Sequence, residues 1–378
     1  MLTLATAALS AWLWLLVGHD RFWRSGPTLP NAAPARPDAV DVVVPARDEA
    51  ENIAESLGSL LRQDYGGKVR IVMVDDRSRD ATLEIANSLA ATVPQDRLRI
   101  VQGGPAPPGW SGKVWALEQG IATTAADSPA SWLFLTDADI LHAPDHLAAL
   151  VAKAESLRLD LVSEMVALRC ESWAEQALVP AFVFFFQLLY PFAAVNNPAR
   201  RVAAAAGGTI LLRRPALERA GGLAAIRGAL IDDVALARAV KPVGRIWLGH
   251  SRLARSRRSY PAFADIWQMI ARTAFVQLRY SVLALIATLL GVGFLFLLPP
   301  LFALFAAGFA RWIGLVVWAL SLALYWPSLH RYGRSPLWVL ALPLVAAFYL
   351  AATVGSAIDH WRGRGQVWKG RTYRGAQT

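Results

Sequence analysis

The chain has 378 residues, 55% of them hydrophobic, and carries 38 Lys and Arg against 28 Asp and Glu, a formal net charge of +10. That length fits one large or two modest domains, and the apolar fraction lies above the soluble average. Cys170, a single cysteine, excludes an internal disulfide and fits a reducing compartment, while no nucleic-acid reading motif accompanies the basic charge.

The elements follow in chain order. Leu2 to Gly18 is apolar, lacks a basic segment before it and lacks a small-x-small cleavage site, so residues 1–20 read as a retained membrane anchor rather than a secretion signal. Residues 21–38 contain "PTLPNAAPARP", a proline-rich linker. From Ala39 the pattern alternates. "VDVVVP", "VRIVMVDD", "LRIVQ", "WLFLTDAD" and "LDLVS" read as strands. Helices are expected over Glu49–Gln63, Thr82–Ala91, Lys113–Ala122 and Pro144–Leu157. Strands alternating with helices predict a mostly parallel sheet covered on both faces. Ligands of such sheets bind beyond the carboxyl ends of the strands, where Asp48-Glu49, Asp75-Asp76, Asp137 and Asp139 fall. The first strand leads into Pro-Ala-Arg-Asp-Glu, so neither a dinucleotide fingerprint nor a Walker-type loop is present.

Further on, Val179–Val195 is too short between its prolines to span a bilayer; a membrane-surface helix and an ordinary core helix both fit it. Small residues in "AAAAGGTILLRR" lead into a strand and fit either tight packing or close substrate approach. Ser281–Ala310, Trp312–Leu329 and Ser335–Ile358 hold no charged residue and are candidate spans of a membrane region over 281–360, followed by a basic tail, 361–378. Arg21, Arg24, Arg36 and Arg47 follow the first anchor, and Arg252, Arg255, Arg257, Arg258, Arg272 and Arg279 precede the next apolar block. By the positive-inside bias, residues 39–280 face the cytoplasm. The number of spans stays open, because three of them place the basic tail outside unless Ser281–Ala310 dips in at Pro299-Pro300 and returns.

Asp137 and Asp139 are hard oxygen donors two positions apart, and in a strand they share a face. Magnesium takes one or two protein carboxylates plus substrate phosphates, so the pair reads as half of a Mg2+ or Mn2+ site; alternatively Asp139 or Asp145 caps the next helix. Lys113 starts a helix whose dipole favours an anion, a mismatch removed if a ligand phosphate lies there. One of Asp75 and Asp76 is expected at the base or ribose of a nucleotide, and the other at the turn. Asp232 and Asp233 begin a helix, where acids are favoured for structural reasons, yet one of them could draw a proton from an acceptor hydroxyl. His142 and His146 do not meet the zinc-helix pattern.

With "VVVPARDEAENI", "MVDDRSRDAT", "GWSGKVWALEQG", "LTDAD", "AAAAGG" and "IDDVALA" in order, the chain resembles a membrane-bound family 2 glycosyltransferase with a GT-A domain. "FVFFFQLLYPFA", "LIDDVALA", "WQMIARTAFVQLRYS" and "WKGRTY" bring it nearest to the hopanoid-associated branch. The resemblance implies an α/β GT-A fold plus transmembrane helices, in a multi-pass protein of the cytoplasmic membrane. It implies inverting transfer from a nucleotide-sugar donor to a lipid acceptor such as a hopanoid, with Mg2+ or Mn2+. Laid onto this sequence, Glu49 and one of Asp75 or Asp76 contact the nucleoside, Lys113 the diphosphate and Asp137 the sugar-nucleotide. Asp139 holds the metal and Asp233 is the base, with Asp232 in place of the family's glutamate. The processive Gln-x-x-Arg-Trp motif corresponds to Gln268 and Arg272 as substrate-binding residues, with one extra spacer and no tryptophan, or to Gln277-Leu-Arg279-Tyr280. Competing readings are a nucleotidyltransferase, which also pairs carboxylates with magnesium, and a non-catalytic membrane scaffold.

Overall fold

A computed structural model describes residues 1–126, 129–364, 366–368 and 371–373. The remaining positions of the expected basic tail lie outside the described residues. The chain divides into two compact units: residues 27–169 with 194–258, and residues 1–26 with 170–193 and 259–375.

The first of these is an eight-stranded sheet: β1 (Val40–Ala46), β2 (Val69–Asp75), β3 (Leu98–Gln102), β4 (Trp132–Leu135), β5 (Ile140–His142), β6 (Leu161–Ala167), β7 (Ile210–Arg213) and β8 (Ile246–Ser256). Its order is β3-β2-β1-β4-β7-β6-β8-β5. β1 lies between two parallel partners, with Val40 opposite both Val69 and Trp132. It is buried along its whole length, which is why it reads as an apolar run interrupted only by Asp41. β7 and β5 run against their neighbours, so the sheet is mostly parallel and mixed at one side. This is the GT-A architecture expected from the sequence. Helix Ile53–Leu61 covers one face through Ile53, Leu57 and Leu60, one helical stripe packed on Met73, Trp132 and Phe134 in a common core.

One charge sits inside β1. Asp41 is fully buried, and its carboxylate is saturated by Arg70 Nε at 2.7 Å, Arg214 Nη2 at 2.8 Å and the Ala130 amide at 3.0 Å. A second buried network runs from Glu164 through His146 (2.6 Å) and His142 (2.9 Å) to the Thr136 hydroxyl (3.1 Å). The Thr136 hydroxyl donates to the Gly208 carbonyl at 2.7 Å, so the His142 Nε2 facing it carries a hydrogen and donates. His142 Nδ1 then accepts from His146, and both histidines are committed to this chain of bonds.

The other unit holds three helices long and apolar enough to cross a membrane: Val282–Phe305, Gly308–Arg331 and Pro336–Trp361. Of the expected Ser281–Ala310 segment, Val282–Phe305 is helical through its prolines, and the break comes instead at Ala306-Ala307. A π-turn, Gly293–Leu297, precedes Leu298–Phe305, in whose first turn Pro299 and Pro300 lie. Proline lacks an N–H and is tolerated there. In a continuous helix the Leu295 carbonyl would accept from residue 299, and Pro299 cannot donate. The indole N–H of Trp12, on helix Leu2–Val17, supplies the bond at 2.9 Å, with the Trp12 ring edge-on to Phe296. Helix Trp173–Leu189 runs through Pro180. Phe184, within it, is buried against Phe22, Phe296 and Tyr325, while Trp173 and Leu189 at its ends are exposed. Its N-terminus is a capping box in which Ser172 accepts from the Glu175 amide and the buried Glu175 carboxylate takes the amides of Glu171, Ser172 and Tyr260.

Candidate active site

The carboxyl ends of β1, β2 and β4 gather the acidic residues picked out from the sequence. β1 lies where the chain crosses over to β2 on one side and β4 on the other, the position at which open α/β sheets bind ligands. After β1 the chain turns through Asp48, at φ +51°, whose carboxylate accepts the Arg79 amide at 2.7 Å. Glu49 is buried; its amide donates to Thr82 Oγ1 at 2.7 Å, and one carboxylate oxygen accepts from Asn52 at 2.9 Å. Beyond β2, Asp75 and Asp76 are both buried. Asp75 closes the turn by accepting the Ser78 amide at 3.2 Å, and the Asp76 amide donates to the Ala46 carbonyl at 2.7 Å. Arg47, buried beside them, donates to the Asp76 carbonyl at 2.6 Å.

β4 ends at Leu135, sooner than the sequence predicts. Asp137 and Asp139 occupy a tight turn into β5 rather than one face of a strand, and their carboxylates meet different cations. Turn chemistry favours aspartate where the chain reverses, and the reversal lets β5 pair with β8. Asp137 lies 2.8 Å from Lys113 Nζ. Asp139 lies 3.1 Å from Arg258 Nε and 2.9 Å from the Ser256 hydroxyl.

Lys113 is in the first turn of helix Gly112–Ala125. The anion that position calls for is supplied by the protein itself: Asp137, and Asp232 at 3.2 Å. Burial pulls the lysine pKa down, but Asp137, Asp232 and Asp233 outweigh it and hold the ammonium above its ordinary value. Asp232 and Asp233 open helix Asp232–Val240. The Asp233 carboxylate accepts the Gly207 amide at 2.9 Å and the Val234 amide at 2.7 Å. Burial and the neighbouring Asp232 nevertheless push its pKa up to about 6, against the opposing pull of Lys113 and the two amides. Burial likewise raises Asp137, opposed by Lys113 and reinforced by Asp139. Lys113, Asp137 and Asp232 line a small pocket together with Leu117, Leu135, Ile210 and Leu236.

Sequence reasoning missed Arg258 and Ser256 as members of the cluster, and it reached Gly207 and Asp232 only with alternatives left open. A Cβ at Gly207 would lie 3.2 Å from Lys113 Nζ and 3.5 Å from both Asp137 and Asp233, so of the two explanations for the small residues of "AAAAGG", tight packing, here against the site's charged side chains, describes Gly207. Asp232 is a lysine partner as well as a helix-start acid. Arg258 and Ser256 sat in a basic run read as membrane charge, and β8, which carries Ser256, was not foreseen. Gln268 lies on helix Phe263–Ala271 and Arg272 caps its end, both in the other unit.

The donor chemistry fits a divalent cation. Asp137 and Asp139 offer hard oxygens, one third and one tenth exposed. No cluster of three or more His, Cys, Asp or Glu among the described residues could hold an ion alone, so one bound here completes its shell with substrate oxygens, as magnesium does.

The model of glycosyl transferase family 21 matches residues 3–375. The chain belongs to that family. The motifs of this family 21 chain pointed to family 2; the family shown is 21, and the chain is a glycosyltransferase. It is similar in structure to the mannosyltransferase PcManGT from Pyrobaculum calidifontis, in complex with GDP-Man and Mn2+, with a TM-score of 0.55 and 20% identity over 94% of this chain and 98% of that chain. It also aligns with residues 1–349 of TarS from S. aureus, with a TM-score of 0.39 and 14% identity over 87% of this chain and 93% of that chain. The first likeness shows a shared fold; the second is too low to add to it.

Proposed function

We propose that this family 21 glycosyltransferase transfers a sugar, with inversion, from a nucleotide-sugar to the hydroxyl of a membrane lipid, using Mg2+ or Mn2+. The observation that carries the proposal is Asp233. It is a carboxylate fixed by two backbone amides beside a lysine at the ligand edge of the sheet, with its pKa pushed up to about 6. A base tuned toward neutral pH suits proton abstraction from an alcohol.

Asp233 takes the proton of the acceptor hydroxyl as its oxygen attacks the anomeric carbon. The nucleoside diphosphate leaves from the opposite face, so a single displacement inverts the centre. Glu49 and one of Asp75 or Asp76 hold the nucleoside, and Asp137 faces the sugar. Lys113 lies where it can pass from Asp137 and Asp232 to the diphosphate and offset its charge. Asp139, with Asp137, would hold the divalent ion, which when bound neutralises charge growing on the departing phosphates. The GDP-Man bound by PcManGT, in a complex that also holds Mn2+, is a donor of this chemical class.

A lipid acceptor is supported by the three apolar helices in the same chain, and a hopanoid or similar polycyclic lipid by the closer motif resemblance. The flanking arginines support a cytoplasmic face for residues 39–280, and the apolar helices support a membrane region over 281–360. The test uses the purified full chain in detergent with nucleotide-sugars labelled in either the sugar or the base. The sugar label is expected in the lipid extract, lost with EDTA and restored by Mn2+. Base label on the lipid, or undiminished transfer in EDTA, overturns the proposal.

A further inference from the structure

Two carboxylates at the ligand edge, Glu49 and Asp139, are each only 7% exposed. A buried carboxylate needs a counter-charge, and one side chain serves both. Arg258 places Nη2 2.5 Å from Glu49 Oε1 and Nε 3.1 Å from Asp139 Oδ2. Its place is built by the backbone. Ile140 pairs with Ser256, the Arg257 amide donates to the Asp139 carbonyl at 2.8 Å, and the Arg258 amide donates to Ser256 Oγ at 3.1 Å. The Ser256 hydroxyl in turn donates to the same Asp139 oxygen that Arg258 grips. Arg258 is held at its main chain, while its side chain is about one third exposed.

Resting on the proposed metal-dependent transfer, we infer that Arg258 is a placeholder for the divalent ion. It occupies Asp139 while no donor is bound and must leave for the ion to bind. The physical reason is like-charge exclusion. Magnesium binds a carboxylate oxygen at about 2.0–2.1 Å. A guanidinium already bonded to that carboxylate then faces two positive charges within a few ångströms. The arriving diphosphate removes the conflict, since a planar guanidinium fork matches phosphate oxygens as well as carboxylates. Ion and Arg258 therefore compete at Asp139 in the empty enzyme and act together once a nucleoside diphosphate is present. By linkage the nucleotide tightens the metal as much as the metal tightens the nucleotide.

The test is Mn2+ titration followed by electron paramagnetic resonance of the unbound ion, on the full chain in detergent, without turnover. Without nucleotide, Arg258→Gln is expected to bind Mn2+ at least about fivefold more tightly than wild type. If that variant does not fold, the Glu49→Gln/Arg258→Gln double variant leaves no bare carboxylate at position 49 and is expected to show the same tightening. Adding GDP or UDP should then improve Mn2+ binding by a larger factor in wild type than in the variant. Mn2+ affinity that is equal to or weaker than wild type, or no Mn2+ binding by any of the proteins, overturns the inference. Tighter Mn2+ in the variants with no response to either nucleotide in any protein keeps the competition and overturns the proposed donor chemistry instead.

Discussion

Replacing Lys113 by methionine separates the roles of the site's charges. In wild type Asp233 titrates near 6 because burial and Asp232 raise it while Lys113 and two amides restrain it. If Asp233 is the base, turnover falls about tenfold for each pH unit below 6 and levels off above 7. Lys113→Met removes a restraining charge, so the acid limb should move above 6 by a pH unit or more, since one unit corresponds to only about 1.4 kcal/mol. Release of labelled nucleoside diphosphate across pH 5 to 9 measures it. A limb that stays put or moves to lower pH refutes the reasoning. Asp233→Asn supplies the companion result, a loss of about 10²–10⁴ in turnover without a folding defect. The folded pKa of Asp233 lies above its ordinary 3.8, so its stabilising contribution is fully present below about 3.8 and lost as pH rises through about 6. Asn mimics the protonated form, so the variant should match wild type in thermal melting at pH 4 and exceed it at pH 8, by on the order of 3 kcal/mol at most.

Gly207→Ala places a methyl 3.2 Å from Lys113 Nζ and should lower turnover about tenfold or more through displaced charges, with melting nearly unchanged. A variant with wild-type turnover would show that Lys113 moves aside without consequence. Asp41→Asn leaves Arg214 buried without its ion pair and should cost about 3–5 kcal/mol in denaturant unfolding; a cost below 1 would mean that the amide satisfies both arginines. Trp12→Phe keeps an aromatic ring, though a smaller one, and removes the bond to Leu295. It should cost about 1–3 kcal/mol in detergent melting, and an unchanged melt would show that another donor reaches that carbonyl.

The sheet was legible where strands are buried on both faces. β1, β2 and β4 announce themselves as apolar runs followed by acids, and their order places those acids at one edge. β8 was not legible, because arginine, histidine and glycine interrupt "IWLGHSRLARS" and its pairing with β6 and β5 is decided by tertiary partners. The candidate site was legible as a set of residue types and illegible as a set of pairs. Asp137 and Asp139 look equivalent two positions apart, but the turn after Leu135 sends one to a lysine and the other to an arginine more than a hundred positions downstream. Gly207 showed only as one small residue among several. Its meaning depends on three side chains from distant elements converging on it, which no local pattern records.

The indole of Trp12 has a consequence for the order in which the protein can be completed. The carbonyl it serves lies 283 residues further on, so helix Leu2–Val17 cannot make this contact until Leu295 has emerged from the ribosome. Until Leu295 has been made, that N–H must be satisfied by lipid headgroup, water or an assembly factor. A chain cut anywhere before the π-turn would keep helix Leu2–Val17 without the contact that Trp12 makes there.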